Sequence, residues 1–114
     1  MTIPSEIKVG GINYKVEIVD HLPHEETGYK WGECDYQRGT IKIWKELSSE
    51  KQEQTFIHEL THAIAHEAGI DNQDEDLINR FALVAYMVIK DNPIKATDVV
   101  TFYSDGEEAG EKFL

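Results

Sequence analysis

The 114-residue chain carries 22 acidic against 11 basic residues, a formal net charge of -11, and such a surface repels phosphate backbones, which disfavours direct nucleic-acid binding. With 40% hydrophobic and 29% charged residues, the composition fits one ordinary globular domain, and no stretch approaches the roughly 18 apolar residues of a membrane span. Cys34 is alone, which excludes an internal disulfide framework and a Cys-x-x-Cys zinc knuckle, so any metal has to be held by histidine and carboxylate.

The opening Met1-Thr2-Ile3-Pro4-Ser5-Glu6 has neither a basic leader nor an apolar run, and the compartment expected from it is the cytoplasm. Residues 6–19 alternate apolar and polar around Gly10-Gly11, which predicts a strand or hairpin with Ile12, Tyr14, Val16 and Ile18 on one face. From His21 to Tyr29 neither period holds, and the stretch reads as a loop. Cys34-Asp35-Tyr36, the turn Gln37-Arg38-Gly39 and the strictly alternating Thr40 to Trp44 predict a second hairpin.

A helix is expected over 49–68. Ser48-Ser49 supplies an N-cap, Gln52 a capping-box partner, and Gly69 the left-handed stop. Its apolar residues Phe56, Ile57, Leu60, Ala63, Ile64 and Ala68 recur at helical spacing. After a short acidic turn, Leu77 to Val88 predict a second helix, closed by Asp91-Asn92-Pro93 and apolar enough to be core on most faces. Val99 to Tyr103 reads as a last short strand or a packed extension. Residues 94–114, with Glu107, Glu108 and Glu111 between glycines, read as a partly flexible acidic extension of a domain spanning 1–93.

The first long helix carries the chemistry. His58 and His62 stand four residues apart, so on a helix they share one face about 6 Å apart along the axis and two imidazoles can hold one Zn²⁺. Glu59 is turned about 100° from His58, which suits a general base that works on water beside the metal. Zinc wants a third protein ligand. His66 continues the series but lies about 12 Å from His58 on an unbroken helix, too far for the same tetrahedron. The acidic cluster Asp71, Asp74, Glu75 and Asp76 opens the second helix, and an antiparallel helix pair brings it back beside His62; Glu75 is the choice and Asp76 its competitor, while simple N-terminal capping also accounts for such a cluster. An oxyanion-stabilising group is also expected, with Tyr36, Tyr103, His21 and His24 as candidates. Trp31 and Trp44 read as core or cleft wall.

Thr40-Ile41-Lys42-Ile43, the helix segment Thr55-Phe56-Ile57-His58-Glu59-Leu60-Thr61-His62-Ala63, and Glu75-x-x-x-Asn79-Arg80-Phe81-Ala82 together resemble the ImmA/IrrE-type zinc metallopeptidases over residues 31–90. The likeness is greatest to the short versions found in phages and mobile elements. In that family the acidic residue four before the Asn of the second helix completes the zinc site, which corresponds to Glu75. The resemblance implies a minimal zincin-like α+β fold, a small antiparallel sheet of about three strands on two main helices, and a strand Thr40 to Trp44 that borders the cleft and pairs with an extended substrate. The second helix departs from the family's common Leu-Met-Pro ending, reading Ala85-Tyr86-Met87-Val88-Ile89-Lys90. The expected function is peptide hydrolysis at His58, His62 and Glu75 with Glu59 as base, on a protein or peptide substrate. The alternative is a noncatalytic zinc-bearing interaction or inhibitor protein of a phage, which the charge of -11 and the small size also fit.

Overall fold

The computed structural model describes residues 1–24, 28 and 30–92. Among them four strands, β1 (Glu6–Val9), β2 (Ile12–Val19), β3 (Gly32–Asp35) and β4 (Thr40–Trp44), precede two helices, α1 (Ser49–Glu67) and α2 (Glu75–Asp91). The class is α+β, as expected. The 94–114 extension, the Val99 to Tyr103 segment, Tyr103 itself and part of the 21–29 loop lie outside the described residues.

The β1–β2 hairpin turns on Gly10 and Gly11, whose φ values of 58° and 86° give the left-handed pair that a two-residue turn needs to match strand twist. The sheet runs β1-β2-β4-β3 and corrects the antiparallel, three-stranded expectation: it has four strands, and β2 and β4 are parallel, Val16 facing Ile41 and Ile18 facing Ile43. β3 lies one strand-width out from β2, and the turn at 36–39 returns β4 into the gap, antiparallel to β3 and alongside β2. Consequently β4 is interior and β3 is the edge.

Helix α1 covers the middle of one sheet face. Tyr14, Ile41, Ile43, Phe56 and Ala63 are almost wholly buried there, with Val16 and Ile57 beside them. Ile12 and Ile18 share a face with Tyr14 and Val16 but sit toward the ends of β2, and they are 46% and 45% exposed, so the predicted four-residue apolar face is buried only at its centre. Helix α2 packs on α1 rather than on the sheet. That limits its buried residues to one stripe, Ile78, Ala82 and Tyr86, and corrects the expectation of a helix buried on most faces. Leu77, Phe81, Val84 and Val88 face outward at about half exposure or more. No helix among the described residues is long and apolar enough to cross a membrane.

The cap of α1 is Ser48, whose hydroxyl accepts from the Lys51 amide. Gln52 is therefore one residue too far on for a capping box, and its amide instead donates to the Lys45 and Leu47 carbonyls, tying the end of β4 to the start of α1. At the other end Gly69 and Ile70 donate to the His66 and Ala65 carbonyls, the paired bonds of a Schellman ending. The chain can then reverse at once, and the antiparallel pair is tied at its far end by Tyr86 donating to Glu53 and Lys90 bonding Glu50.

Candidate metal centre

The reversal after Gly69 brings the start of α2 beside the middle of α1. Three acidic residues in this region separate by role. Asp74 is the N-cap, its carboxylate accepting from the Asp76 and Leu77 amides. Asp76 pairs with Arg80 one turn on, at 3.1 Å. Glu75 points the other way, back toward α1. Its two oxygens stand 2.9 Å from His58 Nε2 and 3.1 Å from His62 Nε2.

His58, His62 and Glu75 thus offer two ring nitrogens and a carboxylate oxygen within 4.8 Å of one another, a group that can hold a metal ion. Ligands about 2 Å from a tetrahedral ion stand roughly 3.3 Å apart, so the donor set fits zinc in kind and in spacing. The imidazoles are edge-to-face, with centroids 5.0 Å apart, as expected for stacked i, i+4 positions. His58 and His62 are largely covered whereas the Glu75 side chain is 70% exposed, so the centre opens to solvent on the α2 side.

Glu59, next to His58, turns inward against the edge strand and is only 9% exposed. It faces Gly32 of β3, where a Cβ would stand 3.1 Å from Glu59 Cγ and 3.2 Å from its Oε2. Its carboxyl is raised to about 7, chiefly by burial, with the charges of Glu75 and Glu33 adding to the rise and Lys30 opposing it. A carboxyl held near neutrality beside such a centre can both take and return a proton.

A cleft of about 360 Å³ runs between β3, α1 and α2 over this centre. Its polar end is His58, Glu59, Glu75 and Asn79, and its apolar walls are Trp31, Ala82, Leu83 and Tyr86. Trp31 is a cleft wall, as one of its two readings had it. Trp44 does not line the cleft, and its indole donates to the Asp20 carbonyl.

His66 stays out of the ligand group. Its ring lies flat on Tyr36, centroids 4.1 Å apart and planes 3° from parallel. Tyr36, a candidate oxyanion group, does not line the cleft either; its hydroxyl accepts from Gln73 at 3.1 Å. His21 and His24 are likewise absent from the cleft lining, and Tyr103 is outside the described residues.

Sequence reasoning passed over Gln73 and Gly32. Gln73 Oε1 lies 2.6 Å from His62 Nδ1, a contact whose only sequence signal was a polar residue just ahead of a helix cap. Gly32 stood next to Trp31 with nothing in the pattern to say that a helix crosses there.

Neither the curated proteins nor the solved structures offer a match to this chain. The family model Peptidase_M78, described as the IrrE N-terminal-like domain, matches residues 15–107, which takes in the edge strand, both helices and every member of the centre. The chain belongs to that peptidase family.

Proposed function

We propose that the chain is a zinc-dependent peptidase in which His58, His62 and Glu75 hold the ion and Glu59 is the general base. The observation that carries this reading is the convergence of those three side chains beside a buried carboxyl, in a chain of a peptidase family. When bound there, zinc supplies Lewis acidity toward a peptide carbonyl and lowers the pKa of water toward roughly 7. Glu59 takes the proton of the attacking water and delivers it to the departing amine. Its burial keeps bulk water from competing for that proton.

The substrate strand has to be reassigned. Thr40 to Trp44 is hydrogen-bonded on both sides, to β2 and to β3, and has no edge to offer. Among the described residues β3, Gly32–Asp35, is the edge strand beside the cleft, and an extended peptide pairing with it would lie beside Glu59 and Trp31.

The test is Glu59→Gln assayed against unfolded protein and peptide mixtures. The variant should keep the fold and its zinc while losing cleavage by at least about 100-fold, the scale of a lost general base. A variant that cleaves like the parent contradicts the mechanism. Zinc binding with no cleavage by the parent would favour the interaction-module reading instead.

A further inference from the structure

Resting on that reading of the metal centre, we infer that Gln73 is a positioning residue: it holds His62 in the tautomer that leaves Nε2 free to ligate. The amide of Gln73 has two ends, and the surrounding atoms fix which is which. Its nitrogen lies 3.3 Å from the main-chain carbonyl of His62, an atom that can only accept, so the NH₂ faces that way and also donates to the Tyr36 hydroxyl at 3.1 Å. The carbonyl end, Oε1, then faces His62 Nδ1 at 2.6 Å. An acceptor at that distance requires the proton on Nδ1. With Nδ1 engaged by Gln73, the nitrogen left for an ion is Nε2, which faces Glu75 at 3.1 Å.

The arrangement is pinned from two directions. Gln73 immediately precedes Asp74, whose cap on Asp76 and Leu77 fixes where α2 begins. Tyr36, its hydroxyl partner, is itself held flat against His66. His66, one turn beyond His62, therefore acts on the centre at one remove, by seating the tyrosine that seats the amide. The links run from His66 through Tyr36 and Gln73 to His62, and they join the β3–β4 turn to both helices.

Two variants separate acceptor chemistry from shape. Gln73→Met keeps the length of the side chain but has no acceptor for Nδ1–H; Gln73→Glu keeps the acceptor. Zinc affinity, measured by competition with a chromophoric chelator, should fall roughly 10–100-fold in Gln73→Met, the usual cost of losing an outer partner of a ligating histidine, and stay within a few-fold of the parent in Gln73→Glu. Long-range proton–nitrogen spectra of the metal-free parent should report a proton on His62 Nδ1. A parent spectrum with no proton on His62 Nδ1 overturns the inference whether or not either variant folds. Equal zinc affinity in Gln73→Met and the parent also overturns it. A parent that takes up no zinc defeats the peptidase reading, while the tautomer of its His62 still decides the case for Gln73.

Discussion

Gly32 on the edge strand lies directly against Thr55 on α1: a Cβ built on the glycine would collide with the Thr55 methyl and press on Glu59. The backbone of Gly32 is ordinary strand, so it is space and not conformational freedom that calls for glycine here. The strand must come this close for its free edge to border the cleft. Gly32→Ala should therefore cost about 1–3 kcal/mol, the range for forcing a methyl into packed structure, and lower cleavage further by moving Glu59. Denaturant unfolding beside a kinetic assay checks both effects.

Glu75 and Asp76 are neighbours with opposite assignments. Glu75→Ala should weaken zinc binding by more than the loss of an outer-shell partner, beyond roughly 10–100-fold. Asp76→Ala removes only an exposed pair with Arg80 and should leave affinity at the parent value. Chelator competition on the two variants distinguishes them, and the reverse order would reassign the third ligand.

Burial raises the Cys34 thiol from 9.0 to about 12, and the negative charges of Glu59, Asp35 and Glu67 add to it. The charged form is the disfavoured one, so the contribution to stability is complete below pH 9 and is lost as pH rises from there toward 12. At pH 8 the thiolate fraction is about a thousandfold below that of a free cysteine. Alkylation by iodoacetamide should be slower in the folded protein, by less than that factor because a more basic thiolate is the better nucleophile, and denaturant should restore it; matching rates would contradict the burial argument.

The antiparallel helix pair depends on Tyr86, which is 3% exposed and donates to Glu53 at 3.0 Å. Tyr86→Phe removes the hydrogen bond but keeps the ring, and should lower stability by about 1 kcal/mol with the cleft wall intact. Tyr86→Ala leaves a cavity and should cost about 3–5 kcal/mol. Thermal unfolding of both variants measures the difference.

What could be read from the sequence was whatever follows a local period or a local spacing. His58 and His62 fall on one face because four residues make about one helical turn, and the hairpins announced themselves through Gly10-Gly11 and Gln37-Arg38-Gly39. Reversing the chain after Gly69 reached the acidic cluster of Asp71, Asp74, Glu75 and Asp76 by local geometry, and the family resemblance favoured Glu75 within it. The position of β4 was not legible, because alternation says which face a residue takes and nothing about which strand lies next door. The substrate edge moved from β4 to β3 for that reason. Burial of α2 was overestimated on similar grounds: Phe81 and Val84 are apolar, yet the face they occupy has no layer against it among the described residues. Gln73 was invisible because an amide in a turn acquires its role only when two helices and a hairpin meet around it.

The central claim is that His58, His62 and Glu75 form a zinc site, and metal content measures it most directly. Protein purified without chelator should carry close to one zinc per chain, and His58→Ala prepared identically should carry almost none. A folded parent without zinc, or a His58→Ala variant that retains the parent's share, would contradict the account.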